Sequence, residues 1–387
     1  MELCAATSIA AFVPRARAES VGPALITVWL EGGPSQHDTF DPKPGGPTSA
    51  IKTAIPGVDI AATLPSLAAV LDRFSLIRSL VSPEADHERA TYFMKSGHRM
   101  IPGLRHPSLG GMLAELPRSP LLPAHVSLCP SQWPAWGGFL GEASDAMRVK
   151  DAGSPLANLG RGDDLTRRQR RERLRLALDP TRLAETEHLT LERRALALSE
   201  GDAAKAFELK DEPAAIVRAY GDTSFGRGCL VARRLVEAGV RAVEVTLQGF
   251  DAHAGCAEAH AKNAAILDPA LAALVADLDA RQLWRSTILV VAGEFGRTPR
   301  LNALEGRDHW PHGFSALIGG AGLRSGVVLG ETDPRGEVQE PKDPIPAVDL
   351  LATVLSAAGL DPSEVIVEPG GRPIARSDGS PIGRLLA

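Results

Sequence analysis

The sequence predicts an α/β fold with a mainly parallel sheet covered on both faces. Three observations carry this. Short runs such as Ala24–Leu30 (ALITVWL) and Ser286–Ala292 are near-continuously apolar rather than apolar at alternate positions, as strands buried on both faces are. In the second half of the chain these runs alternate with helical segments, the pattern of strand–helix–strand units. Glycines stand where helices must stop, as at Gly239 and Gly359.

In chain order, Leu3–Val13 is a short Ala-rich apolar run followed by Pro14-Arg15-Ala16-Arg17-Ala18, and Ala16-Arg17-Ala18 fits a small-x-small cleavage pattern. Residues 1–20 therefore read as the remnant of an export signal, with a frayed N-terminal helix as the bland alternative. Residues 21–387 read as one domain acting in the periplasm or outside the cell. No other segment approaches the ~18 uninterrupted apolar residues of a membrane span. Ala24–Leu30 is a strand running into Glu31-Gly32-Gly33-Pro34, Leu64–Leu71 a helix and Phe74–Leu80 a second strand. His87–Gly97 reads as a helix capped by Gly97, and Ala124–Cys129 as a third strand. A charged, Ala/Leu-rich helical insertion is expected near 160–220. Helix Cys229–Glu237, strand Ala242–Leu247, helix Glu258–Leu278, strand Ser286–Ala292, strand Phe314–Ile318 and helix Ala347–Ala358 complete the chain.

Of the 387 residues, 44% are apolar, enough for a sizeable core without metal or disulfide staples. A net charge of −5 argues against a nucleic-acid partner, since a phosphate backbone requires a basic face. The basic run Arg167–Arg175 is interspersed with acids and reads as a solvated helix face. Cys4, Cys129, Cys229 and Cys256 are too scattered for a zinc ribbon and read as small buried residues.

The chemistry-bearing residues follow predicted strands. His37-Asp38 follow the first, Asp86-His87 the second, and Asp251-Ala-His253 the strand Ala242–Leu247. Glu294, Arg297, Asp308-His309 and His312 follow Ser286–Ala292. Open parallel sheets bind ligands beyond the carboxyl ends of their strands, so these loops share one edge. An Asp-x-His or Asp-His pair alone is an ordinary capped turn; several of them, each behind a strand, argue for a metal site. Carboxylate and imidazole without thiolate suit zinc or manganese, with calcium or magnesium where oxygens dominate. Arg297 could hold a tetrahedral anion in bidentate fashion. His98, His106, His125 and His188 lack the strand-end setting and read as surface or core residues, and His260, on a long helix, as structural.

Four stretches then resemble a known family: Leu30–Pro44 (LEGGPSQHDTFDPKP), Phe250–His253 (FDAH), Gly293–Pro299 (GEFGRTP) and Gly306–Pro311 (GRDHWP). Together they are similar to an exported bacterial family called domain of unknown function 1501, grouped with sulfatase-like proteins of the alkaline-phosphatase superfamily. The resemblance implies a three-layer α/β/α sandwich carrying one or two metal ions and acting on a small anionic substrate, a phosphate or sulfate ester. It places His37 or Asp38 where the superfamily has a ligand after the first strand, Asp251 and His253 at a further ligand loop, and His309 or His312 at a late histidine. Glu294-Phe295 stands where an Asp-His or Asp-Asn pair is usual, so one ligand is missing there. The stretch Ser82–Thr91 matches the sulfatase nucleophile helix in Arg89, but the nucleophile position falls near Ala85 or Asp86, with no Cys. The catalytic set implied is Asp86, His87, Arg89, Thr91 and Arg297, with water activated at the metal or Thr91 as the attacking group. A degenerate, non-catalytic exported binding protein on the same fold is the rival expectation.

Overall fold

Residues 22–116, 122–152, 202–333 and 340–387 are described by a computed structural model of the chain. Nine strands form its main sheet: β1 (Ala24–Leu30), β2 (Phe74–Val81), β3 (His125–Leu128), β4 (Met147–Val149), β5 (Ala242–Leu247), β6 (Thr287–Ala292), β7 (Phe314–Gly320), β8 (Val328–Leu329) and β9 (Ile345–Pro346). Their spatial order is β8-β2-β7-β6-β1-β5-β3-β4, with β9 added to the end of β2. Every pairing is parallel except those of β7, which runs antiparallel between β2 and β6. The sheet is thus mainly parallel, as expected from the sequence.

The register of β1 sets up the site. Trp29 lies level with Thr246 of β5 on one side and Ala292 of β6 on the other. Three carboxyl ends therefore stop abreast, and the loops beginning at Glu31, Gln248 and Gly293 leave the sheet side by side.

Alternate residues of β1 feed two separate cores, which explains why the strand does not alternate apolar with polar residues. Ile26, Val28 and Leu30 join the core under helices Ser224–Glu237 and Cys256–Ala280. Leu25 and Trp29 join the core under helices His87–Ser96, Leu109–Leu113 and Ala347–Ala357. Helices on both faces make the architecture three-layered. Each fully buried aliphatic side chain in these cores is worth about 1.5–3 kcal/mol.

Differences from the sequence reading have local causes. Helix Ser224–Glu237 begins five residues before Cys229, because Thr223 caps it by accepting from Gly226 N at 3.0 Å. Gly226 and Gly228 lower helix propensity there. At Gly228 a Cβ would sit 3.0 Å from Val245 and 3.2 Å from the Cys129 sulfur, so glycine lets the helix lie against the sheet. The segment Leu64–Leu71 holds only a four-residue helix, Pro65–Ala68, before a 3₁₀ turn at Leu71–Arg73. Strands β4, β8 and β9 span two or three residues, too short for any periodicity. Residues 1–20 and most of the expected insertion, including Arg167–Arg175 and His188, lie outside the described residues. Of the insertion's remainder, Asp202–Phe207 is 3₁₀ and Ala214–Ala219 is α-helical. Among the described residues, no helix is long and apolar enough to cross a membrane, and Cys129, Cys229 and Cys256 are free thiols.

Candidate metal centre

The loop after β1 is locked onto its two neighbours by glycines. Gly32 (φ +108°) and Gly33 (φ +74°) take left-handed conformations, and a Cβ on Gly32 would lie 2.4 Å from Asp251 N. Only glycine allows that approach. Gly32 N then donates to Glu294 Oε1 at 2.9 Å, and Phe250 N donates to Glu31 O at 3.1 Å. Loops from β1, β5 and β6 are held as one surface.

Asp251 is the hub of that surface, and three imidazoles converge on it. His87 enters from the first turn of helix His87–Ser96, whose N-cap Asp86 accepts from Arg89 N at 3.2 Å. His253 comes from the Asp251 loop itself. His309 comes from the short strand His309–Trp310, paired antiparallel with Gly296–Arg297. Their Nε2 atoms lie 3.3 Å from Asp251 Oδ2 (His87), and 3.1 Å (His253) and 3.5 Å (His309) from Asp251 Oδ1. The Nε2 atoms of His253 and His309 are 3.2 Å apart. Ligand atoms of His87, Asp251 and His309 all lie within 4.8 Å of one another.

The opposite nitrogens decide what this contact means. His87 Nδ1 faces Glu294 Oε1 at 2.7 Å, His253 Nδ1 faces Asp308 Oδ1 at 2.8 Å, and His309 Nδ1 faces the Ala85 carbonyl at 2.7 Å. Carboxylates and carbonyls only accept, so each Nδ1 carries the proton. Whenever such a ring is neutral it turns an Nε2 lone pair toward the carboxylate, and the buried His87 Nε2 has no hydrogen-bond partner. Lone pairs facing one another across about 3 Å repel unless a positive charge lies between them. A proton relieves one such contact; a divalent ion satisfies the rings and the carboxylate together. Arms of 2.0–2.1 Å in tetrahedral geometry put ligand atoms about 3.4 Å apart, close to the four spacings quoted above, although His253 is not in the mutually close group of His87, Asp251 and His309.

The electrostatics point the same way. Burial disfavours a charged His87, but the hydrogen bond and charge of Glu294, with the charge of Asp251, outweigh it and raise the pKa. Burial likewise opposes ionised Asp251, but Arg297 holds its pKa below the usual carboxylate range. His309 is lowered, chiefly by burial. Asp308 is lowered, chiefly by the hydrogen bond from His253. At His87 and Asp251 the field favours a positive charge, as a cation needs, whereas at His309 burial opposes one.

Arg297 differs from its expected role. Fully buried, it donates from Nη2 to Asp251 Oδ1 at 2.6 Å and to Gly32 O, from Nε to Gly33 O at 2.9 Å, and from Nη1 to Arg307 O at 3.1 Å. Four of its five N–H groups are thus committed within the protein, so its place is behind Asp251, orienting it, rather than against an anion. Asp38 also lies apart from the cluster. Its oxygens accept from Ser35 Oγ at 2.5 Å, from Thr48 Oγ1 and from Arg307 Nε at 2.9 Å.

The structure thus brings His87, Asp251, His253 and His309 together, with Glu294, Asp308 and Arg297 holding them from behind. His37 instead turns to the Asp41 carbonyl at 3.2 Å, and His312 packs edge-on to Trp310. Arg89 is exposed and bonds Glu84 at 3.1 Å. Thr91 is enclosed one turn below His87, its hydroxyl without a partner. Sequence reasoning passed over Glu31, the first residue after β1, although its strand-end position was the available signal. Burial, with the charges of Glu294 and Glu244, raises its pKa, and its Oε2 is enclosed with no partner. It also passed over the buried Lys95–Glu244 pair, which no spacing reveals.

Fold and site together define a three-layer α/β protein with an imidazole–carboxylate cluster at its strand ends. The chain belongs to the family described as protein of unknown function (DUF1501), which matches residues 23–386. No curated protein matches the chain. Among solved structures it is similar to the lipoteichoic acid synthase LtaP from Listeria monocytogenes, at 11% identity and TM-score 0.42, over 95% of this chain and 76% of that one. A phosphonate monoester hydrolase from Silicibacter pomeroyi matches at 10% identity and TM-score 0.41, over 94% and 76%. A protein from Bacteroides thetaiotaomicron described as a sulfatase matches at 10% identity and TM-score 0.39, over 88% and 71%. Similarity at this level says nothing of activity.

Proposed function

We propose that the protein is a divalent-metal-dependent hydrolase of phosphate or sulfate esters acting outside the cytoplasm. One observation carries the metal. His253 and His309 face each other through Nε2 at 3.2 Å over Asp251, while their Nδ1 atoms are tied to acceptors. Imidazole nitrogens with one carboxylate suit zinc or manganese better than calcium or magnesium. His87, Asp251, His253 and His309 would hold the ion, and Glu294, Asp308 and the Ala85 carbonyl would fix the rings, as outer partners of metal-bound histidines do. Such an ion supplies Lewis-acid stabilisation to the non-bridging oxygens of an ester. The ester class rests on the motif resemblance, and the location on the leader-like residues 1–20.

The protein's own groups divide the remaining work. Arg297 keeps Asp251 ionised and oriented. Glu31, with its raised pKa, is suited to holding a proton at Oε2. The enclosed Thr91 hydroxyl is poorly placed to meet a substrate, which leaves water as the attacking group. Pro83–Thr91 carries no Cys or Ser, and this favours the second reading, a metal-dependent binding protein without turnover.

The test is to load the purified protein with zinc or manganese and assay aryl phosphates, phosphodiesters and aryl sulfates. Turnover that requires metal and disappears in His309→Ala is the expected result. Stoichiometric metal without turnover would establish the binding protein instead, and absence of both would sink the proposal.

A further inference from the structure

Beside the metal cluster, the loop 129–137 is pinned by a charge pair that the reaction itself does not use. Lys95, two turns after His87 on the same helix, pairs with Glu244 of β5 at 2.8 Å, both side chains 5% exposed or less. Lys95 Nζ also donates to the Trp133 carbonyl at 2.8 Å and lies 4.7 Å above the Trp29 ring. Glu244 Oε1 accepts from Ala135 N at 3.2 Å, and Ser131 Oγ accepts from Trp133 N at 3.1 Å. The backbone is thus fixed at Trp133 and at Ala135, with Pro134 between them restricting it further. A buried ion pair adds little net stability over well-packed apolar residues, so its contribution here is a fixed position.

What it fixes is an indole. Trp133 is only partly buried and lies nearly parallel to the His87 imidazole, at 15° with centroids 6.3 Å apart. A partly exposed, rigidly held indole beside the cluster is a preformed apolar surface, and a ring packs on it at little entropic cost.

Resting on the ester reading above, we propose that Trp133 is a specificity-determining wall that receives a six-membered ring, an aromatic face or the C–H face of a pyranose, on the leaving-group side of the ester. Lys95 acts through it as a positioning residue.

The experiment measures binding, so that it does not depend on turnover. Dissociation constants of 4-nitrophenyl sulfate, glucose 6-sulfate and methyl sulfate are measured by calorimetry on the zinc-loaded full chain. The ring esters should bind more tightly than methyl sulfate. Trp133→Ala should erase about two- to tenfold of that advantage, the size of one aromatic contact, and leave methyl sulfate and zinc content unchanged. Trp133→Phe should keep most of it, and Lys95→Met, with the indole present but unpinned, should fall between. A loss confined to one ring ester identifies the ring received. Equal affinities for ring and methyl esters, or an equal loss for all three in Trp133→Ala, would overturn the wall. Should Trp133→Ala fail to fold, Lys95→Met and Trp133→Phe decide by the same ratio. Ring-selective binding without turnover would keep the wall and overturn the hydrolase reading. Turnover without ring preference would do the reverse, and binding of none would overturn both.

Discussion

Asp38 and Asp251 invite comparison. Each sits in a loop just beyond a strand of the same sheet, each accepts a hydrogen bond from a buried arginine, and each has histidines close by. Around Asp38 every strong donor finds an acceptor. Arg307 Nε and Ser35 Oγ bond Oδ2, and Thr48 bonds Oδ1. His260 accepts from Ser35 N at 2.8 Å and donates to Cys256 O at 2.9 Å. Burial pushes His260 down to about 4, and burial with the charge of Asp38 pushes Cys256 up to about 12, so both stay neutral. Around Asp251, among the described residues, Arg297 is the one fixed donor: three rings, their Nδ1 atoms already tied to acceptors, turn Nε2 toward one carboxylate. A closed network is a structural knot; an open one of the same residue types leaves nitrogen atoms free to meet a ligand.

The comparison can be broken first at Asp38. Asp38→Ala leaves Arg307 charged and uncompensated in a site only 2% exposed, which should cost about 3–5 kcal/mol of stability. A large fall in Tm with zinc affinity otherwise intact in the folded fraction is expected. A variant as stable as the parent would remove the knot from the account.

Acid should loosen the knot next. His37 and His260 both lie at about 4 in the folded protein, lowered first by burial. Between pH 6.5 and 4 the unfolded chain binds their protons and the folded chain does not. Stability therefore rises with pH across that window, is complete above it, and is lost as pH falls toward 4. Each ring contributes on the order of 3 kcal/mol at most. Urea unfolding at pH 7, 5.5 and 4.5 would show the slope, and a flat profile would contradict it.

The open cluster should respond in affinity instead. Glu294→Gln weakens the acceptor that orients His87, and outer partners of metal-bound histidines are worth about 10–100-fold in metal affinity. Asp308→Asn makes the same change for His253, but at a carboxylate 59% exposed, where solvent competes, and should cost less. Zinc competition titrations rank the two; equal effects, or a larger one at Asp308, would mean that burial does not set the strength of these contacts.

Much of this was legible in the sequence, for physical reasons. Strand β5 has the limits expected, and helix His87–Ser96 ends at Gly97 in the left-handed conformation (φ +77°) that its cap position predicts. The residues of the cluster were named because ligands gather at strand ends. Their roles were not legible. Glu294 and Asp308 hold rings rather than sitting among the facing lone pairs, Arg297 is spent on carbonyls, and Asp38 is paired with Arg307. Those distinctions depend on which partner, more than 200 residues away in the case of Glu294 and His87, folds against each group. The antiparallel run of β7 was hidden likewise, since an apolar strand reads the same in either direction.

The proposed metal ion would sit among the three imidazoles around Asp251. Direct measurement of zinc bound to the dialysed protein, with the affinity from chelator competition, tests that claim in wild type, His253→Ala, His309→Ala and Asp38→Asn. Tight zinc in wild type and Asp38→Asn, with affinity collapsing in both histidine variants, is the predicted result. A wild-type protein that holds no zinc or manganese, or histidine variants that hold it as tightly, would contradict the claim.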